Sequence, residues 1–236
     1  MKKVLILCLA LTGAAGALSV IMLVNSFDNF DGLYQHLCAD PRFDVVYRYR
    51  IRYDPPPPEL LQLHDCATID GYFRFCDMVT LGNLLADYVD GGGRVVCNYY
   101  AMKGPYEDDG SPLGRWWFEG YSPYACLCDA DYHYPEDLII DEPGHPIFDG
   151  ISAVNGARGR MQTELRAGAV ELAHFADAGG VALNADETVC GINYRSSNDH
   201  FWTGEGFRLI ANAACYLADY VDIQPSSWGR IKALGE

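Results

Sequence analysis

Positive charge is scarce in this 236-residue sequence: 17 Lys and Arg stand against 32 Asp and Glu, for a formal net charge of −15. On so acidic a background nucleic acid is not an expected partner. No Asn-x-Ser/Thr sequon occurs, so N-glycosylation has no acceptor. Internal repeats are absent, which excludes a solenoid. Low-complexity sequence is absent too, apart from the four prolines at residues 55–58. A metal-ligand set is incomplete: Cys126-Leu127-Cys128 with Asp129, Asp131 and His133 is joined by no second cysteine pair at zinc spacing, so no metal is expected. What the chain does have is half its residues hydrophobic, with 16 Tyr and 10 Phe. That is enough for a sizeable core, and one domain is the simpler reading.

Lys2 and Lys3 open the chain, an apolar run covers residues 4–11, and small residues lead to Ala15-Gly16-Ala17. This order reads as a secretory signal peptide of residues 1–17, cleaved after Ala17, and implies a secreted or periplasmic protein. Three other readings use the same residues. Residues 4–24 carry no charge and approach the ~20 needed for a membrane anchor, the one route by which a membrane would become a partner. Leu11-Thr12-Gly13-Ala14-Ala15-Gly16-Ala17 resembles a dinucleotide loop, but Ser19 stands near the place of the third glycine and no strand ends cleanly before it. No cofactor is therefore expected. Residues 3–9 as the first strand of a cytosolic protein are the third reading. The signal peptide is preferred because residues 19–24 are themselves a buried strand that cleavage leaves near the new N-terminus. Removing Cys8 with the leader leaves eight cysteines, an even number, and in an oxidising compartment at least one pair is expected to bridge. Cys97, Cys190 and Cys215 also read as small buried hydrophobes.

Strands are expected at residues 19–24, 44–49, 60–64 (weaker) and 94–100, with helices at 32–38 and from Asp77 to the Gly91-Gly92-Gly93 stop. The four prolines read as a surface connector that is neither helix nor strand. Residues 103–134, rich in Gly, Pro, Trp and Tyr, read as a long excursion from the sheet. Three short apolar stretches at 169–175, 181–183 and 189–194 look like neighbouring strands, and residues 206–220 carry one apolar helical stripe. The alternation predicts an α/β fold with a flavodoxin-like, doubly wound, mostly parallel sheet over residues 18–223, followed by a tail at 224–236.

Three stretches carry a family resemblance: Leu84-Leu85-Ala86-Asp87-Tyr88-Val89-Asp90-Gly91-Gly92-Gly93-Arg94-Val95-Val96, His145-Pro146-Ile147-Phe148-Asp149-Gly150-Ile151, and Thr203-Gly204-Glu205-Gly206-Phe207-Arg208-Leu209-Ile210-Ala211-Asn212-Ala213. Together they resemble the class I glutamine amidotransferase-like superfamily, in particular its exported and trehalose-utilisation-type relatives. In catalytic members the resemblance implies a Gly-x-Cys-x-Gly elbow after the corresponding strand, whose strained turn exposes a thiolate. Cys97 falls at that nucleophile's place, but Val95 and Tyr99 stand where the glycines would be. The family's general base is a histidine before the last helix. Arg195 occupies its position and cannot accept a proton.

The resemblance without the dyad implies a non-catalytic binding or accessory domain, its partner a small molecule, a carbohydrate or a protein. The alternative is a cysteine-dependent hydrolase or amidase in which Cys97 and His200 rebuild the dyad. Asn25, Asp28, His64, Asp65 and Asn98 lie at or just after expected strand ends and are candidate ligand contacts, with polar capping as their bland reading. Trp116 and Trp117 in the excursion are candidates to stack on a sugar ring or a partner, or else to pack a small core of their own. The leader reading makes the first prediction. N-terminal sequencing of the expressed protein should begin at Leu18, and an intact Met1 on a soluble cytosolic protein would overturn export.

Overall fold

In the computed structural model, which describes residues 18–70, 77–105, 111–132, 134–197 and 202–223, strand and helix alternate through the first half. The elements are β1 (Leu18–Val24), α1 (Asp31–Ala39), β2 (Phe43–Arg50), α2 (Pro58–Leu61), β3 (Cys66–Asp70), α3 (Met78–Asp90) and β4 (Arg94–Asn98). Then come α4 (Arg115–Phe118), β5 (Tyr124–Tyr132), β6 (Ile139–Ile140), β7 (Val154–Asn155), β8 (Arg160–Leu165), β9 (Val170–Phe175), β10 (Ala178–Leu183), β11 (Val189–Ile192), β12 (Thr203–Gly204) and α5 (Gly206–Ile223). Eight strands form one sheet in the order β2-β1-β3-β4-β11-β10-β9-β6. The first five are parallel, and the last three run antiparallel as β11 turns back through β10, β9 and β6. The order of the parallel part is that of a flavodoxin-like doubly wound sheet, as the alternation implied.

The local reasons are visible in the chain. Val20 to Val24 and all five residues of β4 are buried, as a strand covered on both faces requires. Asp77 caps α3, accepting from the Val79 and Thr80 amides at 3.1 and 3.0 Å, and Gly92 at φ +99° lets the chain turn after it. α1 and α5 cover one face of the sheet and α3 the other, giving two cores.

Two expectations are corrected. Residues 60–64 are not a strand: Leu60 and Leu61 end α2, a turn follows, and the strand is Cys66–Asp70. Pro58, expected in a connector that excludes helix, is the first residue of α2, where a missing N–H costs nothing and a fixed φ suits the helix. The expected disulfide finds no pair among the described thiols. Cys38, Cys66, Cys97 and Cys190 are free thiols, and of the described cysteines all but Cys38 are buried. Cys76 and the Cys128 side chain lie outside the described residues. So do the leader, His133 and the tail. No described helix is long and apolar enough to cross a membrane.

The excursion after β4 is a built structure. β5 and β8 form a two-stranded antiparallel ribbon. Asn193, just after β11, ties the ribbon to the sheet: its side-chain oxygen accepts from the Met161 amide at 3.0 Å, and its nitrogen donates to the Met161 and Gly179 carbonyls at 2.8 Å each. Arg160, fully buried, donates to Asp177 at 2.9 Å and lies 4.9 Å from the centre of the Phe175 ring. At the other end the excursion presses on α3, where a Cβ on Gly82 would fall 1.7 Å from the Leu113 carbonyl oxygen. Gly82→Ala should therefore destabilise the fold by about 1–3 kcal/mol, read as a lower midpoint in urea. An unchanged midpoint would mean that the excursion does not dock on α3.

Candidate functional site

Parallel strands bring their last residues to one edge of the sheet, and open α/β sheets bind ligands there, where neighbouring strands lead off in opposite directions. Here that point lies between β1 and β3. Val24 pairs with Asp70, Ile69 with Cys97 and Ile192 with Asn98. Val24, Asp70, Asn98 and Ile192 therefore form one row across the strand ends, with Asn25 one residue beyond it. Asn25, Asp70 and Asn98 are all buried.

Side chains alternate between the faces of a strand. Val24 and Ile192 belong to the core under α1 and α5, whereas Ile69 and Cys97 belong to the core under α3. Asp70 and Asn98 accordingly share the α1–α5 face, and Cys97 looks the other way. This separates the chemistry of two neighbours in sequence. The Cys97 thiol is wholly buried, 3.8 Å from the Ser122 hydroxyl, and burial pushes it up to about 12. At neutral pH it is not a thiolate. Asn98 is equally buried, yet neither its side-chain oxygen nor its nitrogen has a hydrogen-bond partner. An unmet buried amide costs about 1–3 kcal/mol, a cost that a bound ligand or water removes.

Asp70 sits beside Asn98. One carboxyl oxygen accepts from the Ser196 amide at 3.3 Å and from the Ser196 hydroxyl, and the other has no partner. Burial pushes this carboxyl up to about 7 in spite of the two Ser196 bonds, which act to lower it. The same face carries Tyr194, whose hydroxyl donates to the Gly206 carbonyl at 2.7 Å, and Trp202, edge-on to Tyr194 and Phe207.

The chain leaves β4 through Tyr99, at φ +40°, a left-handed conformation that a bulky residue rarely adopts. A 3-10 helix, Tyr99–Met102, follows at once. A strained strand-to-helix turn is thus present, two residues later than the place where Cys97 stands. Its apex is a tyrosine that is wholly buried, packed with Cys126 and Met161 and edge-on to Tyr100 at 4.3 Å.

The other expected contacts scatter. Asn25 and Asn98 do lie at strand ends, and Asp28 is exposed at the start of the short helix after β1. His64 and Asp65 are at the opposite edge, a correction that follows from the misplaced strand: they precede β3, and Asp65 accepts from Ser19 at the start of β1. Trp116 is core: it is wholly buried, donates to the Ala101 carbonyl at 3.3 Å and stacks on Tyr121. Trp117 is partly exposed and covered by the Arg166 guanidinium, 4.7 Å from its ring. Arg195 is buried and donates to Ser197 at 2.9 Å. His200 lies outside the described residues.

No family model matches the sequence, and no curated protein is similar to it. Solved structures are. A cytoplasmic protein from Salmonella typhimurium superposes with a TM-score of 0.62 at 11% identity, over 84% of this chain and 98% of that one. A ThuA-like protein from Bacteroides uniformis gives 0.61 at 14% identity, over 84% and 89%. A glutamine amidotransferase from Thermotoga maritima gives 0.52 at 6% identity, over 88% and 87%. The chain has the class I glutamine amidotransferase-like fold. Within that fold the strand-end row is the candidate site, and sequence reasoning missed two of its members, Asp70 and Ser196. Cys66-Ala67-Thr68-Ile69-Asp70, a short buried strand ending on an acid, was the available signal for the first. Ser196 had none.

The Asp70 carboxyl has a sign that can be tested. In the unfolded chain it ionises near 3.8 and in the fold near 7, so the unfolded state sheds its proton first as pH rises. Stability is lost between those two values and stays lost above them. Asp70→Asn removes this effect, so the stability of the variant relative to the parent should grow between pH 4 and 7, by on the order of 3 kcal/mol. Urea unfolding of both proteins across that range measures it, and a difference independent of pH would show that Asp70 is not a buried, unpaired carboxyl.

Proposed function

We propose that this chain is an exported binding or accessory domain that has the amidotransferase-like fold without its thiol chemistry. It holds a small polar ligand, such as a carbohydrate, or a group on a partner protein, against the strand-end row. The observation that carries this reading is the end of β4. There the thiol of Cys97 faces inward and stays protonated, while the next residue turns an unpartnered amide to the α1–α5 face. Three further features support it. Tyr99 fills the apex of the turn and packs away from the row. Arg195 stands where the fold's catalytic members have a base. Asp70 and Ser196 add a carboxyl and its donors beside the amide.

Acyl transfer needs a thiolate, a base that makes it and donors for the oxyanion; ligand binding needs only the donors and acceptors. Purified parent, Cys97→Ala and Asn98→Ala proteins should all release no ammonia from glutamine, and Cys97 should resist a thiol-directed probe in the folded state. Cys97→Ala should cost on the order of 1 kcal/mol of stability and leave ligand binding intact. Asn98→Ala should abolish the rise in melting temperature that a binding sugar gives in a screen of mono- and disaccharides. Cys97-dependent turnover, or rapid labelling at Cys97 alone, would replace this reading with that of a cysteine hydrolase.

A further inference from the structure

The two edges of the eight-stranded sheet are unlike. One is β6, two residues long and too short to template another strand. The other is β2, eight residues long, which among the described residues pairs on one side only, with β1. Natural edge strands are blunted by brevity, proline, charged side chains (lysine above all) or a bulge. β2 is long and has neither proline nor lysine; its charges are Asp44, Arg48 and Arg50, and its single irregularity, at Asp44, leaves Val45 to Arg50 in regular register with β1. Along this edge Val45 is 48% exposed and Tyr47 45%, and the Tyr47 ring stacks on His64 beside the still more exposed Leu63.

The charges along β2 are self-complementary when the strand is turned antiparallel on itself. Turned antiparallel on itself with Tyr47 opposite Tyr47, the strand sets Asp44 against Arg50 at both ends and Val45 against Tyr49. Among the described residues neither Asp44 nor Arg50 has an ion-pair partner, Arg50 resting on the Phe27 ring, whereas Arg48 is held by Asp31. Moving the dyad one residue toward Arg48 would place Arg48 against itself, which like-charge repulsion disfavours. Moving it one residue the other way would set Asp44 against Arg48, which Asp31 already holds, and would bring Arg50 opposite Arg42, outside the strand.

We propose that β2 pairs with the β2 of a second copy of this chain, antiparallel about a twofold axis at Tyr47, joining two eight-stranded sheets into one. The interface is isologous, so each contact occurs twice. The backbone groups of the open edge supply the ladder, the paired tyrosines pack on one face, and the two Asp44–Arg50 pairs fix the register.

Sedimentation of the purified full chain should give twice the monomer mass. Tyr47→Asp places two carboxylates on the axis and should give a folded monomer, with the far-ultraviolet circular dichroism of the parent and a thermal transition that no longer depends on protein concentration, since residue 47 is half-exposed in the chain alone. Arg50→Asp sets Asp against Asp and should weaken the dimer roughly tenfold or more. Asp44→Arg combined with Arg50→Asp restores opposite charges and should recover the parent affinity. A parent protein that stays monomeric to its solubility limit would overturn the proposal. So would a dimer indifferent to Tyr47→Asp, a double variant no better than the single one, or a monomer in which residues 1–17 or 224–236 cross-link to β2.

Discussion

Side-chain alternation in a sheet covered on both faces is the constraint on which the rest of this protein depends. With α1 and α5 on one side and α3 on the other, every residue of β3 and β4 is committed to one of two interiors. A shift of one residue at the end of β4 would exchange Cys97 and Asn98, bringing a thiol to the strand-end face and burying an amide under α3. The pairing of β4 with β3 and β11 forbids that shift. The chemistry at the edge is therefore that of an amide and a carboxyl, and the thiol is left to packing.

The second organising feature is the way the chain closes over that edge. A purely parallel sheet would leave the excursion after β4 with little to hold it. Here the side chain of Asn193 bonds to ribbon and sheet at once, and Arg160 is buried among carbonyls, Asp177 and two aromatic rings. A buried guanidinium needs such a full set of partners, because desolvation outweighs any single pair. Holding the ribbon there packs Tyr99 beneath it and sets residues 195–197 against Asp70. Site and excursion are one construction, and the strained backbone at Tyr99 is held by the packing around it.

Much of the fold was legible from the residues. The continuous apolar runs of β1 and β4, the glycine stop after α3, the stripe of α5 and the three neighbouring strands near the end were all readable, because each rests on local periodicity or on a turn signal; that their two pairings are antiparallel came from the structure. The strand before α3 was misread because the prolines drew it forward. Pro58 is a good helix starter as well as a breaker, and Cys66-Ala67-Thr68-Ile69-Asp70 is too short to announce a period. That one slip carried His64 and Asp65 to the wrong end of the sheet and hid Asp70. The aromatic excursion was visible as an excursion, but composition does not say whether a tryptophan faces inward; Trp116 does and Trp117 in part does not.

By itself the sequence determined the layered α/β architecture and the acidic balance of charge, since both are properties of residue type and spacing. Only the tertiary structure decided which of two adjacent residues faces which core, that the strained turn falls at Tyr99, and that Asp70 and Ser196, 126 positions apart, share hydrogen bonds. The reason is physical. Periodicity is local and survives in one dimension, whereas register between strands and the burial of a carboxyl depend on what the rest of the chain places beside them.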